Sequence, residues 1–154
     1  MIEGIDTLKV DEKDFIINET SFSKIKEPLL SKVNWALLNY VHCPYNNAMN
    51  SAYLLGDIPR GLGNDKSNIN LLIVLHKGNK NIEQYLNYHF SKIKNDNIKL
   101  SAKVICYDDV FGNTYGSLKY KFILKTMSIC VFGEDASSKI RQYTSKDMTN
   151  LFDL

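Results

Sequence analysis

Two short stretches of this chain carry the residue types from which a binding or catalytic site is built. They are Gly56-Asp57-Ile58-Pro59-Arg60-Gly61 and Ser67-Asn68-Ile69-Asn70-Leu71. The first reads as a turn-rich segment holding one anion and one cation. The second places two polar side chains one residue apart where an apolar run begins, so on a strand both point to the same face. A pair of carboxylates there would grip one or two Mg²⁺ ions, which demand hard anionic oxygens in near-octahedral geometry. Such ions bridge a triphosphate and activate an incoming hydroxyl. Asn68 and Asn70 keep the shape and one carbonyl oxygen each, but they carry no charge and offer NH₂ donors where a cation would sit. If two-metal chemistry supplies ~6 kcal/mol of barrier lowering, its loss costs on the order of 10⁴-fold in rate.

The other polar residues have local readings beside the chemical ones. Gly56 and Gly61 suit a turn that needs their backbone freedom. Arg60 either anchors the loop through a salt bridge or binds an anion. Ser67 reads first as a turn or cap residue, and Asn68 and Asn70 as residues that satisfy loop backbone groups. Asp57, Asp65, Asp108 and Asp109 are candidates to lie near the mouth of the site, and Asp57 is the one placed to replace a lost metal ligand. His42-Cys43 has no second ligand pair at zinc spacing.

Several elements position these residues. Pro28 in a first turn and Leu29, Leu30, Val33, Leu37, Tyr40 and Val41 on one face predict a helix over 27–41. Ser51 to Leu55 is a short strand ending at Gly56, and 59–67 is turn-rich. Asn70 to Leu75 is almost wholly apolar, as in a strand buried on both faces. A helix over 81–94 turns Ile82, Tyr85, Leu86, Phe90 and Ile93 inward. A third strand spans 98–107, a helix spans 117–125 with Leu118, Phe122 and Ile123 on its apolar side, and a last β segment spans 128–132. The order predicts an α/β (α+β) domain with a small mixed sheet flanked by helices. Residues 1–20 form an N-terminal arm or edge strand, 21–135 the main domain, and 136–154 a peripheral helix or tail.

A chain of 154 residues, 44% apolar and 23% charged, supports one domain with a proper core. Its net charge of +2 gives no strong field for nucleic acid or an anionic membrane. The longest apolar run, Leu71 to Leu75, is far too short to span a bilayer, and Met-Ile-Glu-Gly does not open a signal peptide. The three scattered cysteines, Cys43, Cys106 and Cys130, argue for a reducing cytoplasm.

The stretch from Tyr53 to Leu75 resembles the core motif of the nucleotidyltransferase superfamily, whose members include minimal and antibiotic-modifying nucleotidyltransferases and polymerase-β-like enzymes. That motif runs hydrophobic-Gly-Ser, Ala-Arg-Gly, then Ser-Asp-hydrophobic-Asp-hydrophobic. Here it stands as Leu54-Leu55-Gly56-Asp57, Pro59-Arg60-Gly61 and Ser67-Asn68-Ile69-Asn70-Leu71-Leu72-Ile73-Val74. Ile98-Lys99-Leu100-Ser101-Ala102-Lys103-Val104 is similar to the strand that carries the third carboxylate, which puts that position at Ser101, or at Lys103 if the alignment slips by two. Val131-Phe132-Gly133-Glu134-Asp135 is similar to the tail that follows in single-domain relatives. The resemblance covers about 29–135 and implies a nucleotide- or anion-binding set of Gly56, Asp57, Arg60 and Ser67. The serine that touches phosphate in the family is Asp57 here, which repels it.

Four functional positions depart together while glycine, arginine and apolar positions survive. The expectation is a fold retained and a chemistry discarded: a pseudoenzyme acting as a binding or regulatory module, with no cofactor. Its partner would be a protein, another copy of the chain or a nucleotide. The resemblance implies, as one partner, a helical toxin-like protein bound through an apolar patch of Trp35, Tyr40, Tyr143 and Phe152. The competing expectation is an active enzyme that uses Mg²⁺ and a nucleoside triphosphate, transfers the nucleoside monophosphate to a hydroxyl, and draws on relocated carboxylates such as Asp57.

Overall fold

A computed structural model describes residues 4–153. Its centre is a four-stranded mixed sheet. The strands are β1 (Met49–Leu55), β2 (Ile69–Leu75), β3 (Leu100–Cys106) and β4 (Ser128–Gly133), in the order β3-β2-β1-β4. Neighbours β1 and β2 run antiparallel, as do β1 and β4, whereas β2 and β3 are parallel. The parallel pair is joined through helix α2 (Lys80–Ser91), preceded in the chain by α1 (Leu29–Ala36). Three more helices follow β3: α3 (Tyr107–Phe111), α4 (Tyr115–Met127) and α5 (Ser145–Phe152).

The composition of β2 explains the layering. Ile69, Leu71, Ile73 and Leu75 point into one core with Val33 and Ala36 of α1 and Leu86 and Phe90 of α2. Leu72 and Val74 point the other way, against Val110, Phe122, Met127 and Phe152. Alternate residues thus serve two cores, as the unbroken apolar run requires of a strand covered on both faces. Each fully buried Leu, Ile or Val contributes about 1.5–3 kcal/mol of transfer free energy. The mixed α+β architecture expected from the order of elements is what the fold shows.

The differences from expectation are local. α1 gives way after Ala36 to a wider π turn over Leu37–Val41, closed by the His42 N–H on the Leu37 carbonyl at 2.8 Å. Pro28 sits at the N-cap, one position before the first helical residue. In α2, Leu86 and Phe90 face the core, but Ile82 and Tyr85 do not. Tyr85 is 50% exposed and meets Tyr45 hydroxyl to hydroxyl at 2.9 Å. Leu118, expected on the apolar side of α4, is exposed, whereas Thr114 caps that helix by accepting the Ser117 N–H. α3 was not foreseen.

The first and last described segments are part of the core. Residues 4–20 are an arm and not an edge strand: they make only isolated bridges, Val10 with Ile16 and Phe15 with Thr144. The arm's Ile5 is buried in the second core, beside Ile140, Tyr143 and Phe152 of the C-terminal segment. The apolar patch expected from Trp35, Tyr40, Tyr143 and Phe152 is absent, because Tyr40, Tyr143 and Phe152 are buried. Tyr40 lies against Phe90 and Tyr143 against Phe122, so both rings face opposite cores. Among the described residues, no helix is long and apolar enough to cross a membrane.

Candidate functional site

The side chains of Asn68, Asn70 and Ser101 meet in space. Asn70 lies at the start of β2 and is the register partner of Ser101 on β3. Asn68 immediately precedes β2. Its Nδ2 donates to Asn70 Oδ1 at 2.7 Å and to Ser101 Oγ at 2.9 Å. The alternation that sends Ile69 and Leu71 into one core turns Asn70 toward the opposite side of the sheet, the side of α4. One amide thus ties together two acceptors on neighbouring parallel strands. A divalent cation would bridge acceptors in the same way, but here the acceptor oxygens are engaged by an N–H donor.

Asn70 and Ser101 open onto a cleft of about 700 Å³ between the sheet and α4. Asn70 and Ser101 form its polar floor, and Leu55, Leu72, Ile123 and Tyr120 form its apolar walls. Ile5 of the arm and Phe152 of α5 close one side, and Lys103 and Lys119 also line it. No acidic side chain is among the lining residues. Lys103, considered at the sequence level only as a displaced carboxylate position, is two residues from Ser101 on the same face of β3. Its Nζ stands 5.2 Å from the Tyr120 ring centroid. The Lys119 Nζ lies 4.6 Å from the Tyr115 ring and 5.4 Å from the Phe152 ring.

The glycine-rich turn has a different employment. Gly56 and Gly61 both have positive φ, +89° and +80°, as a turn of this tightness requires. The Gly56 N–H donates to the Met127 carbonyl at 2.9 Å, which pins the end of β1 to the end of α4. Between the glycines a 3₁₀ turn, Ile58–Arg60, buries the Arg60 side chain to 2% exposure. Its Nη1 donates to the Gly4 carbonyl at 3.2 Å and to Thr7 Oγ1 at 3.0 Å, and its Nη2 to the Thr7 carbonyl at 3.0 Å. Carboxylates of Glu19 and Asp57 lie 3.6 and 3.5 Å from it. Of the two roles open to Arg60, the geometry realises the anchor: the guanidinium holds the N-terminal arm and is not among the residues lining the cleft. Asp57 serves the same junction.

The remaining candidates separate from the site. Ser67 Oγ accepts the Asn64 N–H at 2.8 Å and its own N–H donates to the Asn64 carbonyl, so it shapes a turn. Asp65 is exposed in that turn, where its carbonyl takes the Lys32 ammonium. Asp108 and Asp109 lie in α3 beyond the far end of β3, whose last residue, Cys106, is about 17 Å along the strand from Ser101 at roughly 3.3 Å per residue. Neither can stand in for a carboxylate at the mouth, and Asp109 pairs with Lys80. Cys106 and Cys130 have their thiols pushed up by burial, which makes them poor nucleophiles near neutral pH. His42 lies edge-on to Phe132. Among the described residues no group of three His, Cys, Asp or Glu side chains is placed to hold a metal ion.

The cleft's second wall was not foreseen. Lys119, Tyr120, Ile123 and Phe152 come from helices whose pattern signals only burial or solvation, and Ile5 enters from an arm held by Arg60. No protein-family model and no curated protein matches the chain, so the function rests on the residues and their geometry.

Proposed function

We propose that this chain is a nucleotidyltransferase-like protein whose catalytic centre has lost its metal chemistry, and that it acts as a binding or regulatory module. The observation that carries the reading is the meeting of Asn68 with Asn70 and Ser101, the latter two being register partners on parallel strands that line one cleft. These are the positions that the motif assigns to carboxylates, and all three are neutral. Their mutual hydrogen bonds satisfy one another without a cation. The second support is negative in sign for catalysis by relocation: Asp57 serves the arm junction at Arg60, and Asp108 and Asp109 lie at the far end of β3.

The chemistry follows from charge. Transfer of a nucleoside monophosphate needs a metal to bridge the triphosphate and lower the pKa of the attacking hydroxyl. Amide and hydroxyl oxygens offer Mg²⁺ dipoles where it requires anions. The expected result is therefore no Mg²⁺- or Mn²⁺-dependent release of pyrophosphate from ATP or GTP above the protein-free background, measured with and without small hydroxyl acceptors. Metal-dependent release that disappears in Asp57→Ala would overturn the reading in favour of an active transferase.

A further inference from the structure

The donors and cations of the cleft have no partner of opposite charge. The Asn68 NH₂ occupies Asn70 Oδ1 and Ser101 Oγ, so the acceptor capacity of the floor is partly spent. The Asn70 NH₂ and the Ser101 hydroxyl proton remain as donors at the cleft surface. Above them stand Lys103 and Lys119, neither in a salt bridge among the described residues. Both ammonium groups are placed over aromatic rings, Tyr120 for Lys103 and Tyr115 and Phe152 for Lys119. Cation–π contacts of this kind hold an ammonium in position without neutralising it. Lys77 and Lys92 also sit over rings, on Tyr107 and Tyr88, but neither lines this cleft; Lys103 and Lys119 are set apart by lining it together. The cleft is therefore a place where two positive charges, neutral donors and apolar walls face a space of about 700 Å³ with no anion in its lining. Low-dielectric walls concentrate such a field, and a concave apolar site with a few convergent polar groups is the usual form of a small-molecule site.

We propose that this cleft binds a small organic phosphate without a divalent cation. Lys103 and Lys119 supply the positive charge, Asn70 and Ser101 donate to the phosphate oxygens, and Tyr120, Ile123 and Leu55 receive the apolar body of the ligand. The proposal deepens the binding-module reading and rests on its premise that the floor is neutral. A carboxylate triad would demand metal before it tolerated a phosphate, whereas this floor favours the anion directly. The apolar walls select against inorganic phosphate, which has nothing to place on them.

The test is calorimetric titration of the full chain with AMP, phenyl phosphate and inorganic phosphate, each in EDTA and again in Mg²⁺. The expected result is binding of AMP and phenyl phosphate that is unchanged by Mg²⁺ and weakens with added salt, and at least tenfold weaker binding of inorganic phosphate. Lys103→Ala with Lys119→Ala is expected to weaken AMP at least tenfold. Lys121→Ala, on α4 but outside the cleft, leaves it unchanged. Both lysines are surface groups, so thermal melting of the double variant serves as the folding control. Absence of binding in EDTA and in Mg²⁺ alike would overturn this inference while leaving the module reading in place. Equal AMP affinity in the wild type and a folded double variant would also overturn it. Binding that requires Mg²⁺ would overturn both.

Discussion

Arg60 does structural work in this fold. Its guanidinium is 2% exposed, flanked by Glu19 and Asp57 and bonded to Gly4 and Thr7. A buried charge is tolerated only when paired and hydrogen-bonded, and the arm provides those partners. Arg60→Ala is therefore expected to cost about 2–3 kcal/mol in urea unfolding, because it strips donors from part-buried acceptors and leaves carboxylates without their cation. It is also expected to expose the arm to early proteolysis. A change under about 0.5 kcal/mol would mean that the arm is held by Ile5 and its backbone bonds to the C-terminal segment without Arg60. The alternation of Asn68 and Asn70, and their relation to Ser101, was legible from spacing on a strand and from one resemblance. For Arg60 the sequence left an anchor and an anion site open, since the hydrogen-bond partners Gly4 and Thr7 lie more than fifty residues earlier in the chain.

At the scale of elements, secondary structure followed periodicity where one face is apolar and failed where side chains pair laterally. β2 was readable because every position from Leu71 to Leu75 is apolar and buried. Tyr85 and Leu118 were misplaced because an apolar residue near the border of a helical face is assigned inward by pattern, whereas Tyr45 and solvent received them. α5 is set by chemistry more than by pattern. Thr144 and Asp147 form a reciprocal capping box, and Arg141 holds the Asp147 carboxyl down at about 2 from an ordinary 3.8. A carboxyl depressed in the folded state stabilises above the unfolded pKa and loses that stabilisation as pH falls through the folded one. Asp147→Asn is thus expected to cost about 1 kcal/mol at pH 7, and the difference from wild type is expected to shrink between pH 3.8 and about 2. Urea titrations at pH 7 and pH 2.5 measure it; a gap that stays constant would assign the effect to helix packing.

For the whole molecule, two cores share one sheet, and the segments expected to be peripheral complete the second. Phe152 packs edge-on against Phe122 at 5.3 Å, and the Tyr115 hydroxyl donates to the Leu151 carbonyl at 3.0 Å. The C-terminal segment is therefore needed by the sheet's second face. Phe152→Ala is expected to destabilise the protein by about 3 kcal/mol and to leave a single unfolding transition by fluorescence and circular dichroism. Two separated transitions would contradict a shared core. Polar composition concealed this role, since Ile140, Tyr143 and Phe152 are spaced by turns and not by a helical period. The same mixing of distant segments builds the cleft: its floor was visible in the sequence, while its lysines and aromatic wall needed α4, α5 and the arm to be brought together.

The central proposal is that the neutral side chains at positions 68, 70 and 101 leave this site without divalent-metal chemistry. It is tested most directly by restoring the charges. Mn²⁺ titration, followed by calorimetry and paramagnetic relaxation, would compare the wild type with the Asn68→Asp, Asn70→Asp, Ser101→Asp triple variant. The account predicts no specific site in the wild type and one in the triple variant, because the same strand geometry that holds the three neutral groups together then converges three carboxylates. Saturable Mn²⁺ binding by the wild type, or none by a folded triple variant, would contradict it.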